Sequence, residues 1–516
     1  MRNATLIPAA AMLILAALAL VPPPAHAAGA AAWLPKVDAY RRAHELAILG
    51  ELDALTRFPS VAADPAGIAA AATHLEGLLK ARGFETARLT VPGAMPAVYG
   101  SLAVKGAKRT VVYYAHYDGQ PVTPSEWASD PFVPVLRSGP LHSGEHEVDW
   151  KHASAPLEPE WRLFVRATSD DKASIVAFLA AFDALKAAGR RPTVNVKVLW
   201  EGEEEAGSTH LAAILKENAS RLKSDLWIIG DGPVHQSRRR MLAFGARGVM
   251  GLEATLYGPN HPLHDGHYGN WVANPAAMAA ELIASMRAPD GRITIPGFLD
   301  DVRAISPAES AAVAALPPVE APLQNAFGIA GGESADGLVA STLRPALNIR
   351  GIQAGHVGAQ AANAIPTEAT VSFDFRLVPD QTPARVRERV EAFLRAQGWT
   401  VVTAAPDSAT RSAHGRIVKL EWQGGYPAFR SDMTTPAARA VIAAAKEAAG
   451  GTLALLPMMG GSVPIYLFDD AFHVPVIGQP IANHDNNQHA ADENLRLANL
   501  WDGVTTYAAM LGGLEW

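Results

Sequence analysis

Cysteine is absent from the 516 residues. That excludes a disulfide framework, a thiolate metal site and a cysteine nucleophile, so any metal must be held by His and carboxylates. Charge is sparse at 18%, and the 44 basic against 51 acidic residues leave a net −7. With no basic surplus to release counterions, nucleic acid is excluded as a general partner, and Arg238-Arg239-Arg240 reads as a solvated turn. No Gly-x-Gly-x-x-Gly follows a first strand, which weighs against a dinucleotide-dependent dehydrogenase. Internal repeats are also missing. What remains is a 49% apolar chain with 43 Gly and 38 Pro, globular in composition and long enough, at roughly 100–200 residues per domain, for more than one folded unit.

The only long apolar stretch is at the start. Arg2, the run Leu6 to Val21, Pro22-Pro23-Pro24 and Ala25-His26-Ala27 have the layout of a secretory signal peptide with an A-x-A cleavage site. Pro8 and Pro22 interrupt the run, which falls short of the ~20 residues a bilayer span needs. Residues 1–27 are therefore expected to be removed, leaving a periplasmic or secreted protein with no stable membrane anchor.

Apolar residues at helical spacing predict helices over Leu34 to Leu55 and Gly67 to Ala81. Runs rich in β-branched and aromatic residues, Thr110 to Tyr114, Val194 to Trp200 and Leu226 to Ile229, fit buried strands. Between the first two lies the alanine-rich helical stretch Ser174 to Ala188. Strands alternating with helices predict an α/β fold, here a catalytic domain with a central mixed sheet flanked by helices. From about Phe244 the style changes, with strands expected at Gly248 to Leu256 and Ala369 to Leu377 and helices near Ala276 to Met286 and Thr382 to Ala396. This predicts an inserted α+β domain over 244–425, dividing the catalytic domain into 28–243 and 426–516.

Chemistry-bearing residues gather just after the strands, where ligands of α/β sheets collect. His116-Tyr117-Asp118 places a carboxylate two residues from an imidazole, able to orient it toward a metal. Thr168-Ser169-Asp170-Asp171-Lys172 reads, taken singly, as a helix cap. Glu201-Gly202-Glu203-Glu204-Glu205 sets adjacent carboxylates that, if buried, need protons or a cation. Asp231 ends the third strand, and His484 and His489 lie in a polar loop before the final helix. His116, Asp170, Glu205, Asp231 and His489 form a hard-oxygen and imidazole set suited to Zn²⁺ or Mn²⁺, and five ligands with one bridging carboxylate suffice for two ions.

His116 to Pro121, Trp127 to Pro131, Ser169 to Lys172, Glu201 to Ser208, Asp231, Gly460-Gly461-Ser462 and His489 occur in an order that resembles the aminoacylase, carnosine dipeptidase and glutamate carboxypeptidase superfamily of dinuclear metallopeptidases. The resemblance covers nearly the whole chain after residue 27. It implies two divalent ions, Zn first and Mn second. His116 and Asp231 would hold one, Glu205 and His489 the other, and Asp170 would bridge them. Asp118 would orient His116, and Glu204 would be the general base that deprotonates the bridging water. The inserted domain would be a lid and dimerisation unit of a homodimer. From it His264, or its neighbours His261 or His267, would reach the partner's site, while Asn363 and Arg376, with Gly460, Gly461 and Ser462, would hold the substrate.

Two features depart from that pattern. Val165-Arg166-Ala167 and Lys172-Ala173 replace glycine-containing versions, and residues 138–160 form an extra loop with His142, Glu145, His146, Asp149 and His152. The loop reads as a surface insertion, with a lid or further metal site as alternatives. The functional expectation is an exported metallopeptidase cleaving dipeptides or small peptides. An aminoacylase or broader carboxypeptidase acting on N-acyl amino acids is the second reading, and a catalytically silent peptide-binding protein the third.

Overall fold

The computed structural model describes residues 32–516, so the expected signal peptide lies outside the described residues. Its larger sheet has eight strands in the spatial order Glu85–Leu89, Ala97–Leu102, Asn195–Glu201, Thr110–His116, Leu226–Ile229, Val476–Gly478, Met241–Ala243 and Ala454–Leu456. Thr110–His116 runs parallel to both neighbours, with His116 directly opposite Glu201. Parallel strands buried on both faces need apolar runs; Val111 to Ala115 is a continuous one, and Val196 to Trp200 is apolar but for Lys197, whose ammonium donates to the Arg221 and Lys223 carbonyls. One face is covered by Ala173–Ala187, packed against Leu497–Gly513; the other by Leu211–Glu217 and Tyr466–Phe472.

The parallel register delivers His116, Glu201 and the segment after Ile229 to one edge of the sheet. A separate three-stranded sheet of Val135–Arg137, Arg162–Phe164 and Asn494–Arg496 carries the carboxyl-terminal polar loop to the same edge. Residues 138–160 leave from this sheet. The Leu157 N–H donates to the buried Glu45 carboxylate, and Trp150 packs on the main core. His146 bonds Ser138 and His152 pairs with Asp149. Among the described residues the loop contributes no group to a metal-ligand cluster.

A five-stranded sheet is built wholly from the middle of the chain, in the order Ala346–Ala354, Glu368–Leu377, Gly248–Tyr257, Ile417–Tyr426 and Thr400–Val402. Helices Pro275–Met286 and Pro383–Ala396 cover one face over a core that includes Leu252, Leu256, Phe373 and Phe375. The chain enters this unit through Gly245–Ala246 and returns through Phe429–Arg430, which pair antiparallel as a two-strand stem. A side chain at Gly245 would sit on the Phe429 carbonyl.

The stretch Leu34 to Leu55, expected as one helix, is two: Leu34–Ala43 and Glu45–Thr56. The break is at His44, whose backbone leaves the helical region at φ −117° and ψ 14° while its Nδ1 lies 2.8 Å from the Tyr40 carbonyl oxygen.

Candidate metal centre and active site

Two groups of ligands form at the sheet edge. His116, Asp170 and Asp231 bring one ligand atom each within 4.8 Å of one another, as do Asp170, Glu205 and His489. Asp170 belongs to both. Its Oδ1 lies 2.9 Å from His116 Nε2 and its Oδ2 3.1 Å from His489 Nε2, while His489 Nε2 is 3.3 Å from Glu205 Oε2. All five ligands implied by the resemblance therefore converge, although they are spread from residue 116 to residue 489.

Asp118 works twice. His116 Nδ1 is 3.2 Å from its carbonyl oxygen and 3.5 Å from its carboxylate, while Oδ1 and Oδ2 accept the N–H groups of Glu204 and Glu205 at 3.1 and 3.0 Å. The glutamate loop is further held through Glu203, whose carboxylate accepts from Met95 N, His210 N and the His210 ring at 2.8–3.0 Å. Gly202 has no room for a Cβ beside the Tyr117 hydroxyl. The run Glu201 to Glu205 is thus a clamped turn, with Glu201 and Glu203 buried.

Asp170 does not cap the following helix. The turn Thr168–Lys172 is wholly buried and is organised by Glu493, a residue the sequence did not single out. The Glu493 carboxylate accepts from the backbone N–H of Ala167, Ser169 and Asp170, from the Ser169 hydroxyl, and from Arg166 Nη1. Ala167, standing where glycine was expected, takes a left-handed backbone with φ 60°. Its Cβ lies where a side chain on Gly119 would have to go. Two further residues touch ligands: Gln120 Nε2 donates to Glu205 Oε2 at 2.7 Å, and Gln488 Nε2 to Asp170 Oδ2 at 3.3 Å. Gln120 was visible as part of the His116 to Pro121 motif; Gln488 and Glu493 carried no distinguishing local pattern.

Burial pushes the Glu205 carboxyl up to about 7 and Asp231 up to about 6, with the charge of Asp170 adding to both. Glu204 is raised well above its ordinary value, by burial first and then by Asp231, Glu205 and Asp170 against an opposing pull from His116. His116 is raised as well: burial opposes its charge, but hydrogen bonds to Asp118 and Asp170 outweigh that. Among the described residues no Lys or Arg pairs with Asp170, Glu204, Glu205 or Asp231. Converging buried carboxylates with no Lys or Arg among them need a further counter-charge. Two triads of oxygen and imidazole donors sharing one carboxylate fit a pair of divalent cations.

Arg376 and Ser462, assigned to substrate, bond each other and their own neighbours rather than these ligands. Arg376 Nε donates to Asp374 at 2.8 Å and Nη1 to the Ser462 hydroxyl at 2.9 Å, linking the smaller sheet to the Gly460–Ser462 loop. Gly461 accepts the Arg247 N–H, and a Cβ on Gly460 would press on Thr342. His264 and Asn363 meet on the short ribbon of Leu263–His264 and Ala364–Ile365, where Asp265 N–H donates to the Asn363 carbonyl. His264 is exposed, its ring tilted 41° against that of His267 with centroids 4.7 Å apart.

The model of peptidase family M20/M25/M40 matches residues 112–512. The fission yeast Schizosaccharomyces pombe Cys-Gly metallodipeptidase is 25% identical over 420 residues, 80% of this chain and 81% of that protein. The human Beta-Ala-His dipeptidase is 25% identical over 431 residues, 82% and 77% of the two chains. Among solved structures, an M20 metallo-carboxypeptidase from Sulfolobus solfataricus superposes with a TM-score of 0.70 at 26% identity, covering 90% of this chain and 99% of that one. With two ligand triads joined at Asp170 and a family match over residues 112–512, the chain belongs to peptidase family M20/M25/M40 and is a metal-dependent hydrolase.

Proposed function

We propose that this protein is an exported dipeptidase that hydrolyses the amide bond of dipeptides or small peptides. The observation that carries the reading is Asp170 shared between two triads, with Glu204 held beside them by Asp118. The dipeptidase names of the two relatives support the choice of substrate.

His116, Asp170 and Asp231 would hold one ion and Asp170, Glu205 and His489 the other, Zn²⁺ first and Mn²⁺ second by donor chemistry. Bound there, divalent cations supply Lewis acidity toward the scissile carbonyl and lower the pKa of the attacking water. Glu204 takes one proton from that water as its oxygen joins the carbonyl carbon, then delivers it to the amide nitrogen as the C–N bond breaks. Asp118 fixes the Glu204 and Glu205 backbone and the His116 ring. Arg376 and Asn363 hold the substrate carboxylate, Arg376 by its forked guanidinium. Gly460, Gly461 and Ser462 line the same place. His264 acts on the site of a second copy in a homodimer.

The test is a panel of dipeptides, longer peptides and N-acetyl amino acids, offered to the protein with Zn²⁺ or Mn²⁺ and with a chelator control. Chelator-sensitive cleavage of dipeptides is expected. Cleavage confined to N-acetyl amino acids would make it an aminoacylase, and no cleavage by folded, metal-loaded protein would favour a binding role. Light scattering checks the dimer, because full activity in a monomer removes the role of His264. Amino-terminal sequencing of the native protein checks export, with Ala28 expected first.

A further inference from the structure

Val249 sits in the middle of a row across the smaller sheet: it pairs with Arg376 on one side and with Tyr426 on the other. Residues opposite one another in antiparallel strands project to the same face, so Arg376 and Tyr426 share a face two strand spacings, roughly 10 Å, apart. It is the face away from the unit's core, since the neighbours Met250 and Phe375 are the buried ones. The Tyr426 ring stacks on Tyr466, centroids 5.6 Å apart and planes 15° from parallel. Tyr466 opens a helix four residues after Ser462, the partner of Arg376. Both rings are half-buried. The Tyr426 phenol is pushed up to about 12, by burial first and then by the charge of Glu204, with Arg376 opposing; the ring therefore lies within electrostatic reach of both ends of the site.

A stacked tyrosine pair is a flat apolar wall with polar tips. Here it spans the junction of the two units, Tyr426 coming from the smaller one and Tyr466 from the larger, beside the guanidinium assigned to the substrate carboxylate. We propose that Tyr426 and Tyr466 form the wall that receives the side chain of the carboxylate-bearing residue, so that the site favours substrates ending in an aromatic or bulky aliphatic residue over those ending in glycine. This rests on the reading of Arg376 as the carboxylate holder.

The test compares kcat/KM for Ala-Phe and Ala-Gly in the parent, Tyr426→Phe, Tyr426→Ala and Tyr466→Ala, all metal-loaded, alongside calorimetric binding of L-phenylalanine and glycine. The parent prefers Ala-Phe. Tyr426→Phe keeps the ring and the preference, while either alanine variant lowers the Ala-Phe to Ala-Gly ratio by about tenfold or more, chiefly through KM. An unchanged ratio in both alanine variants, or a parent indifferent to the two dipeptides, overturns the wall. If neither dipeptide is cleaved, the hydrolase reading fails separately and calorimetry decides the wall: phenylalanine binding that weakens in Tyr466→Ala supports it, and equal binding of phenylalanine and glycine overturns it.

Discussion

The two carboxylate oxygens of Asp118 accept one backbone N–H each from Glu204 and Glu205, so Asp118 and Glu204 are tied through the main chain while the Glu204 side chain stays free. Asp118→Ala releases this turn and the His116 ring together. Losses of about 10–100-fold in activity or metal affinity are typical when such a supporting partner is removed. The expected outcome is a fall of that size in kcat/KM with a broadened metal titration, measured by steady-state kinetics and metal-binding calorimetry.

Glu204→Gln keeps the size and the Asp118 contact but cannot carry a proton. Removing a general base costs about 10²–10⁴-fold, so kcat should drop by that factor. Metal content, by elemental analysis, and KM should stay near the parent values. Undiminished turnover would move the proton transfer to another residue.

Glu493 and Arg166 are buried with 1% and 3% of their side chains exposed. Glu493→Gln leaves Arg166 without its counter-charge, and breaking a buried pair from one side costs about 3–5 kcal/mol. A large fall in Tm is expected by calorimetry. Ala167→Gly acts the other way: it removes about 1–2 kcal/mol of left-handed backbone cost against about 0.5–1 kcal/mol for the freedom glycine has when unfolded. A small rise in Tm follows.

The acidic cluster sets a pH dependence. In the metal-free folded chain Glu205 and Asp231 hold their protons up to about 7 and about 6, from ordinary values of 4.5 and 3.8. The folded state therefore binds more protons than the unfolded one between those limits, and its stability falls as pH rises through them. Raised His116 has the same sign. Metal-free protein should melt at a higher temperature near pH 5 than near pH 7.5. Added Zn²⁺ should displace protons and reverse the order, since ligands must be deprotonated to bind. Melts at both pH values, with and without chelator, check this.

Much of the site was legible because three of the five ligands follow a recognisable run, His116 ending one apolar strand and Glu205 and Asp231 following two others, while Asp170 and His489 stood out through the family order of the motifs. The strands that lead to these ligands were read nearly to their ends, Thr110–His116, Asn195–Glu201 and Leu226–Ile229, as were Gly248–Tyr257 and Glu368–Leu377 of the smaller sheet. What could not be read is set by register and by long-range contact. Glu493 bonds a turn more than 320 residues away, and nothing in its own surroundings marks it. Ala167 stands in a left-handed turn because Glu493 holds its N–H, a fact the Val-Arg-Ala sequence conceals. Tyr426 faces Arg376's side of the sheet only through pairing with Val249. The strand Ala346–Ala354, mostly exposed along one edge, lacks the apolar alternation that reveals its neighbours.

The stem at Gly245–Ala246 and Phe429–Arg430 brings the two ends of a long excursion side by side. A segment whose ends meet behaves as a cassette. It can be lengthened, trimmed or exchanged between relatives without rethreading the strands that carry His116, Glu205 and Asp231. The smaller sheet and the metal-ligand strands can thereby diverge at different rates, one changing with the cassette and the other with the scaffold from which it hangs.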